Sequence, residues 1–313
     1  MLFTRDGLEM ASHETVARLH ATILEGSRAL DLTCGIGADL IAFSRNQTSI
    51  GFDTNAEHVE YANHNLKVHG VRGRAINVDC TTVHPNSKKD VVFADPQRRS
   101  AGRRTLDPSE FQPNLGSILK QVERCRAGLI KLSPMLKDEF LDTLGGSVWF
   151  VSHQNQCCEA LVFCNELSER GGGGAILAES QEFLESLPLY HSISDPLTYV
   201  FEANPAAIRG HCLGQFDLPG LGDSNGYLTS NNEISSPWLR QFEVIWHGHW
   251  RVDKVKEALE EANAKVTAVK CRGVDVDVIK VAKQVRTEGK RTSVLILYPI
   301  GKSIRAMVAT ESK

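Results

Sequence analysis

The stretch RALDLTCGIGADLIAFSR, residues 28–45, joins a short apolar segment to a glycine-containing turn and then to a helical pattern. Residues 28–34 predict a buried strand, because apolar side chains predominate over a short run. Gly35 and Gly37 predict a tight turn in which the backbone can approach a ligand closely. A helix is expected over 37–45. A strand, a glycine turn and a helix in this order form the first unit of a doubly wound α/β sheet.

The same alternation continues toward the C-terminus. Further apolar strands alternate with amphipathic helices, and this spacing predicts a mostly parallel sheet. The predicted strands are 48–53, 74–79, 90–96, 127–134, 147–153 and 159–165, with helices over 56–70 and 108–125. The last connection is too short for a parallel crossover, so the last two strands are expected to form an antiparallel hairpin. The prediction is therefore a Rossmann-like sheet of seven strands, six parallel and one antiparallel.

Changes in pattern divide the chain into three regions. Residues 1–180 hold the predicted sheet and, after Ser12, a lead-in helix over 13–25. Residues 181–236 are rich in turn residues and show no periodicity, which predicts a connecting region. Residues 237–313 again alternate strands and helices, which predicts a small C-terminal α+β domain.

Composition places the chain among ordinary globular proteins. Hydrophobic residues make up 42% and charged residues 23% of its 313 residues, as is typical of globular domains. Every apolar run is far shorter than the roughly 20 residues of a membrane span, and the charged N-terminus does not resemble a signal peptide. Eight scattered cysteines without a C-x-x-C pair argue against a disulfide framework and against a metal site. We therefore expect a cytoplasmic protein with no membrane partner and no bound metal.

The net charge of −3 conceals an uneven distribution. Residues 237–313 carry 15 Lys and Arg against 9 Asp and Glu, while the rest of the chain carries 20 against 29. A basic module on an acidic body suits binding to a polyanion such as RNA. A solvated helical surface has a similar composition, so charge alone leaves both interpretations open.

Four predicted strands end on or near an aspartate. These residues are Asp31, Asp53, Asp79 and Asp95. A single acid in such a place is commonly a turn or helix cap. Because ligands of open α/β sheets bind beyond the carboxyl ends of the strands, four acids in comparable places favour a ligand site. A dinucleotide is disfavoured, since Leu40 stands where a small residue is expected and Asp31 would repel a phosphate.

S-adenosylmethionine fits these acids better, since it lacks phosphate and carries a cationic amino group and sulfonium. Asp53 follows Asp31 by 22 residues, the position of an acid that binds ribose hydroxyls. Asp79 is expected to accept a hydrogen bond from the adenine amino group, with the backbone of Cys80 as a donor. Asp95 and Pro96 would then lie next to the methyl group. The predicted cofactor-binding residues are Asp31, Thr33, Cys34, Gly35, Gly37, Asp53, Asp79 and Cys80.

Several of these segments resemble the successive motifs of class I S-adenosylmethionine-dependent methyltransferases. The segments are DLTCGIGADLIAFS (31–44), GFDTNAEHVEYANHNLKVHG (51–70) and NVDC (77–80), followed by ADPQRR (94–99). LEMASHETVARLHATIL (8–24) resembles the lead-in helix of RNA methyltransferases in the same superfamily.

A narrower resemblance extends over nearly the whole chain. ADPQRRSAGRR (94–104) and KLSPML (131–136) resemble a bacterial group with an Asp-Pro-x-Arg-Arg signature, whose members carry a C-terminal THUMP-like domain. The segments FEANPAAIRG (201–210), YLTS (227–230), FEVIW (242–246) and KCRGVDVDV (270–278) resemble that C-terminal part. The resemblance implies a methyltransferase fold, S-adenosylmethionine as cofactor, and tRNA or rRNA as substrate.

The Asp-Pro signature indicates where the chemistry takes place. Enzymes that methylate exocyclic amino groups of bases typically carry Asn/Asp-Pro-Pro-Tyr/Phe here, whereas this chain has Asp95-Pro96-Gln97-Arg98. Asp95 is expected to orient or deprotonate the acceptor, and an arginine plane to replace the aromatic ring by stacking. The predicted catalytic residues are Asp95, Pro96, Arg98 and Arg99, and the predicted substrate-binding residues are Arg103, Arg104, Lys270 and Arg272. For the four arginines of the loop, a solvated basic surface is the alternative.

Other functions remain compatible with these residues. A methyltransferase of a small molecule or a protein would use the same cofactor site, and a non-catalytic RNA-binding protein would retain the same fold. A Rossmann oxidoreductase is disfavoured by Leu40 and Asp31. Uracil-C5 methylation needs a cysteine nucleophile, and no Ser-Cys-Asn-Pro-like segment surrounds Cys157 and Cys158. The target atom and the oligomeric state are left open.

Overall fold

The computed structural model describes residues 1–86, 89–97, 99–100, 103–193, 195–223 and 226–311. The chain divides into two compact units, Met1–Glu185 and Ser186–Lys313. The boundary lies close to residue 180, where the sequence predicts the end of the first domain. Much of the predicted connecting region 181–236 contributes strands to the sheet of the second unit.

The first unit alternates strands and helices. Its helices are α1 (Arg5–Met10), α2 (Glu14–Ile23), α3 (Ala38–Asn46), α4 (Ala56–Val68), α5 (Leu115–Val122) and α6 (Asp138–Leu141). Its first strands are β1 (Arg28–Asp31), β2 (Thr48–Asp53), β3 (Arg74–Asn77), β4 (Asp90–Ala94), β5 (Arg99–Ser100) and β6 (Arg103–Arg104). The strands that follow are β7 (Ala127–Leu132), β8 (Ser147–His153), β9 (Gln156–Asn165), β10 (Gly173–Leu177) and β11 (Glu182–Glu185).

A nine-stranded mixed sheet organises this unit, in the order β11-β10-β8-β9-β7-β4-β1-β2-β3. The structure contains the seven strands that the sequence predicts, and β9 runs antiparallel between β7 and β8. The predicted count of seven is nevertheless wrong, because β10 and β11 extend the sheet beyond β8. Since β11 is antiparallel to β10 and β10 is parallel to β8, two strands rather than one run against the others.

The first additional strand begins inside a run of four glycines at 171–174, a pattern that ordinarily indicates a turn or loop. In the structure, Gly173 is the first residue of β10 and pairs with Val148 of β8. A Cβ atom on Gly173 would lie 2.5 Å from the carbonyl oxygen of Val148. The glycine therefore allows the two backbones to pair where a larger residue would collide.

Helix α2 packs on one face of the sheet. Its buried side chains, among them Leu19 and Ile23, belong to a hydrophobic cluster with Phe93 of β4, Leu129 of β7 and Trp149 of β8. Full burial of each large side chain contributes about 1.5–3 kcal/mol. This packing fixes α2 on the sheet, and with it the chain segment that leads into the helix.

The second unit is built on an eight-stranded sheet in the order β12-β14-β15-β13-β16-β19-β18-β17. Its strands are β12 (Ser192–Ile193), β13 (Tyr199–Ala203), β14 (Gly220–Leu221), β15 (Tyr227–Ser230), β16 (Leu239–His249), β17 (Ala264–Cys271), β18 (Arg291–Ile300) and β19 (Ser303–Glu311). Its helices are α7 (Pro205–Arg209), α8 (Val252–Glu261) and α9 (Val278–Gln284). Within the described ranges of the whole chain, no helix has both the length and the apolar character needed to cross a membrane.

Gly51, in the middle of β2, lies directly behind the glycine turn. A Cβ atom on Gly51 would lie 2.6 Å from the Cβ and 2.8 Å from the Sγ of Cys34. Gly51→Ala is therefore expected to lower the free energy of unfolding by about 1–3 kcal/mol, the usual cost of overpacking. Urea denaturation measures the change. Gly172→Ala is the matched control, because a Cβ atom there meets nothing within 4 Å; equal destabilisation of the two variants would contradict this account.

Candidate active site

A cavity of about 780 Å³ opens beyond the carboxyl ends of β1, β2, β3 and β4. Its walls include residues 32–36, 53–55, 78–81 and 95–97, which follow these four strands, and residues 9–13, which lead into α2. Open α/β sheets bind their ligands in this place. The cavity is therefore the candidate active site.

The wall of this cavity is strongly acidic. Among the described residues that line it are six carboxylates and one lysine, Lys131. The carboxylates are Glu9, Asp39, Asp53, Asp79, Asp95 and Glu159. An anionic wall attracts a cationic ligand and repels a phosphate. The site therefore favours S-adenosylmethionine, which carries a sulfonium and an amino group, over a dinucleotide.

Asp53 fixes the glycine turn. Its Oδ2 accepts a hydrogen bond from the backbone N–H of Gly35 (3.0 Å), and its Oδ1 accepts one from that of Asn55 (2.8 Å). Gly35 and Gly37 adopt φ angles of +50° and +94°, which cost glycine little. A Cβ atom on Gly35 would meet nothing within 4 Å, while one on Gly37 would lie 3.2 Å from Ala62. Gly37 is thus required for close packing of α3 against α4 as well as for its backbone conformation.

The predicted cofactor residues after β3 lie on the rim of the same cavity. Asp79 is exposed, and its carboxylate accepts a hydrogen bond from the backbone N–H of Thr81 (2.8 Å). This bond caps a single 3₁₀ turn that begins at Cys80. Cys34 also lines the cavity, but its own N–H is already bonded to the carbonyl of Phe52 (3.0 Å). The contacts of these residues with a cofactor remain predictions.

Asp31 lies beneath the cavity rather than on its wall. It is 1% exposed, and burial, together with the negative charge of Asp39, raises the pKa of its carboxyl well above the ordinary value. The backbone N–H of Thr33 donates to Asp31 Oδ1 (3.1 Å), and Thr33 Oγ1 accepts a hydrogen bond from the backbone N–H of Asp95 (2.7 Å). The structure therefore places Asp31 where it supports the turn after β1.

Asp95 directly follows β4 and lines the cavity together with Pro96. Its Oδ2 accepts a hydrogen bond from Nζ of Lys131 at 2.6 Å. Burial raises the pKa of the Asp95 carboxyl, and the charge and hydrogen bond of Lys131 oppose that rise. The ion pair is thus the interaction that favours the ionised carboxylate in this partly buried position.

Lys131 belongs to a buried polar network that the sequence analysis missed. Its Nζ also donates to Ser12 Oγ (3.0 Å) and lies 4.0 Å from Glu159 Oε2. Ser12 donates in turn to Asp39 Oδ2 (2.7 Å). His20 completes the network, with its Nδ1 2.7 Å from Asp39 Oδ1 and its Nε2 2.6 Å from Glu159 Oε1.

The residues of this network come from separate elements of the fold. His20 lies in α2, Asp39 in α3, Lys131 in β7 and Glu159 in β9. Each one fits an ordinary helix or strand pattern, so no local motif reveals the set. The available signal was a charged residue inside an apolar strand, since lysine is almost never buried in a strand unless it is paired.

His20 is wholly buried and positively charged. Burial by itself lowers the pKa of this histidine, but the charges of Glu159 and Asp39, with their hydrogen bonds, outweigh it and raise the pKa to about 10. Burial by itself raises the pKa of Asp39, yet His20 holds that pKa below its ordinary value. An imidazolium between two carboxylates thus satisfies three buried groups at once.

The arginine loop is described only in part. Arg98 lies outside the described residues. The backbones of Arg99 and Arg104 pair in a two-stranded antiparallel ribbon that also contains Arg103. The roles predicted for these four arginines depend on their side chains and stay predictions.

Lys270 and Arg272, the other predicted substrate-binding residues, lie in the second unit. Lys270 Nζ forms an ion pair with Glu202 Oε2 at 2.7 Å, and the guanidinium of Arg272 lies 3.9 Å from the other oxygen of Glu202. Arg272 also lies over the ring of Tyr227, 5.7 Å from its centre. Both basic residues are therefore partly neutralised by one carboxylate.

Comparison with known proteins agrees with this architecture. A family model of RNA cap guanine-N2 methyltransferases matches residues 26–133, and a THUMP domain-like family matches residues 239–311. Two proteins from Mycobacterium tuberculosis, strains CDC 1551 / Oshkosh and ATCC 25618 / H37Rv, are each named as an uncharacterised S-adenosylmethionine-dependent methyltransferase. Each is 26% identical over 309 residues, which cover 96% of this chain and 85% of the relative.

A solved structure from Porphyromonas gingivalis W83, whose assignment as a methyltransferase is provisional, has the same fold. It superposes with a TM-score of 0.74 at 19% sequence identity, and the match covers 99% of this chain and 83% of that one. Together with the sequence relatives and the family match, the cavity defines the class of protein. The chain is an S-adenosylmethionine-dependent methyltransferase, and a THUMP-like region lies toward its C-terminus.

Substitution of His20 tests the buried network. His20→Gln leaves Asp39 and Glu159 without their cation, so the free energy of unfolding should fall by about 3–5 kcal/mol, the cost of breaking a buried ion pair. Because the pKa of His20 is raised from 6.5 to about 10 by folding, its stabilisation is complete below about pH 6.5 and is lost as the pH rises to about 10. Urea denaturation over this pH range measures the difference between the two proteins. His64→Gln, at an exposed site, is the control, and a constant difference at every pH would contradict the assignment.

Proposed function

We propose that the protein transfers a methyl group from S-adenosylmethionine to RNA, and that Asp95 orients and deprotonates the acceptor. The observation that carries this proposal is the Asp95–Lys131 ion pair on the wall of the acidic cavity. The backbone N–H of Asp95 also donates to the hydroxyl of Thr33, at the start of the glycine turn. The matches to an RNA methyltransferase family and to a THUMP domain-like family support RNA as the substrate. The Asp-Pro-x-Arg-Arg resemblance supports tRNA or rRNA.

The residues of the cavity fit S-adenosylmethionine. Asp53 and Asp79 both line the cavity, and in this proposal Asp53 would accept hydrogen bonds from the ribose hydroxyls and Asp79 one from the adenine amino group. A Cβ atom on Gly35 would meet nothing within 4 Å, which leaves room for the ligand. The bound cofactor supplies an electrophilic methyl group on a cationic sulfur, which keeps the electron pair of the broken bond. The six carboxylates of the wall favour that positive charge.

Asp95 performs two tasks on the acceptor. Its carboxylate accepts a hydrogen bond from the N–H or O–H group that is methylated, which fixes the direction of the acceptor's lone pair. As the acceptor gains the methyl group, its proton passes to Asp95 and from there to solvent. Positioning of this kind and proton transfer each contribute to the rate without any covalent intermediate on the protein.

The basic surplus of residues 237–313 supports an anionic substrate. Residues 237–313 carry 15 Lys and Arg against 9 Asp and Glu, and most of this range matches the THUMP domain-like family. Lys270 and Arg272 would bind a phosphate in competition with Glu202. The other basic residues of the region therefore have to supply most of the attraction to RNA.

Asp53→Asn tests the cofactor site. The substitution keeps the size of the side chain but removes its charge, and a hydrogen bond to a charged group contributes about 1.5–3 kcal/mol. The Kd for S-adenosylmethionine, measured by isothermal titration calorimetry, should therefore rise by about tenfold or more. Asp142→Asn, at an exposed position, is the control, and an unchanged Kd in Asp53→Asn would contradict the placement of the ribose.

Transfer of tritiated methyl groups tests the reaction. The purified protein is incubated with fractionated RNA, protein and metabolite pools from source cells that lack the gene. Label is expected in an RNA pool, and Asp95→Asn should reduce transfer by about 10²–10⁴-fold, as for loss of a general base, while it still binds S-adenosylmethionine. Label in the protein or metabolite pool would establish the alternative substrate, and cofactor binding without label in any pool would indicate a non-catalytic RNA-binding protein.

A further inference from the structure

Asp95 lies in a strongly anionic part of the protein. Burial raises the pKa of its carboxyl, and the negative charges of Asp39 from α3 and Glu159 from β9 raise it further. These charges and burial favour the protonated carboxyl, which is unable to accept a proton from the methyl acceptor. Among the described residues, the cation in contact with Asp95 is Lys131.

The ammonium of Lys131 is held in one place by groups on three sides. Its Nζ lies 2.6 Å from Asp95 Oδ2, 3.0 Å from Ser12 Oγ and 4.0 Å from Glu159 Oε2. The side chain is only 11% exposed. Burial by itself lowers the pKa of Lys131, but Asp95, Glu159 and Asp39 raise it above its ordinary value. Lys131 therefore remains a donor and does not act as a base.

His20 pairs with the two other carboxylates that act on Lys131. Its Nε2 lies 2.6 Å from Glu159 Oε1, and its Nδ1 lies 2.7 Å from Asp39 Oδ1. With these two acids paired to His20, the closest carboxylate of Lys131 is Asp95, at 2.6 Å against 4.0 Å for Glu159. The two cations, His20 and Lys131, thus pair with three carboxylates, and the shortest ion pair of Lys131 is the one with Asp95.

We propose that Lys131 is a positioning residue for methyl transfer, which keeps the Asp95 carboxylate ionised and aims it at the acceptor. This inference rests on the proposed function of Asp95. The bond from Lys131 restrains Oδ2, and the bond from the Asp95 backbone to Thr33 restrains the main chain of the same residue. When the acceptor is methylated, its proton moves to Asp95, and Lys131 keeps all three of its own protons.

The ionisation of Asp95 is measured directly by NMR. Aspartate labelled with carbon-13 at the side-chain carboxyl is incorporated into the full chain, and the Asp95 signal is identified by its absence in Asp95→Asn. We expect an ionised Asp95 at neutral pH in the wild type. In Lys131→Met the titration midpoint should rise by about one to three pH units, as for loss of an adjacent opposite charge.

Two further variants control for charge and for structure. Lys131→Arg keeps the positive charge and should shift the midpoint less than Lys131→Met does. Lys137→Met removes the same charge from an exposed position close by in the sequence and should leave the midpoint unchanged. A protonated Asp95 at neutral pH in the wild type, or an unchanged midpoint in Lys131→Met, would overturn the proposal. The wild-type measurement decides the matter even where Lys131→Met fails to fold.

The NMR result does not depend on the substrate, so its failure is distinct from a failure to find methylated RNA. Once the substrate pool that accepts the methyl group is identified, the pH profile of kcat/KM supplies the second readout. In Lys131→Met, activity should be lost at neutral pH and partly recovered at higher pH, because the Asp95 carboxyl then ionises only at a higher pH. The KM for S-adenosylmethionine should stay the same. An equal loss of activity at every pH would show that Lys131 is merely structural and would refute its role.

Discussion

One buried histidine holds together two carboxylates on the wall of the candidate active site. His20 bonds to Asp39 from α3 and to Glu159 from β9. An unpaired buried charge costs several kcal/mol, so Asp39 and Glu159 lie this deep only while His20 is charged. Their remaining oxygens then hold Ser12 and contact Lys131. The arrangement of Ser12 and Lys131 on the cavity wall thus depends on a residue behind that wall, His20.

Most of the first unit's fold can be predicted from the sequence, because its strands are short apolar runs and its helices have clear ends. The hairpin of β8 and β9 follows from the length of one connection. The extension of the sheet by β10 and β11 does not, since glycine signals a turn in most contexts. Gly173 begins a strand because its backbone pairs with Val148, which is 25 residues away in the sequence. The Val148 carbonyl would lie 2.5 Å from a Cβ atom on residue 173, so this pairing needs a glycine there.

The candidate site is only half predictable, for a related reason. Asp53 and Asp95 follow strands, and the topology alone brings them to one cavity. Asp31 has the same signal in the sequence, but it is buried below the turn, because strand-end position does not specify which way a side chain points. Lys131 and His20 act through contacts between distant elements, and such contacts leave no periodic pattern. Their functional meaning emerges only when the distances are known.

The hydroxyl of Thr33 joins the turn after β1 to the residue after β4, across 62 positions of sequence. Parallel pairing of β1 with β4, and the hydrogen bond from the Leu32 N–H to the Phe93 carbonyl, already bring these two loops side by side. The 2.7 Å hydrogen bond adds a side-chain link, so that a displacement of either loop is resisted by the other. In the proposed reaction, where a displacement of about 1 Å costs about two orders of magnitude in rate, the Thr33 hydroxyl would couple the turn that binds the methyl donor to the residue that binds the acceptor.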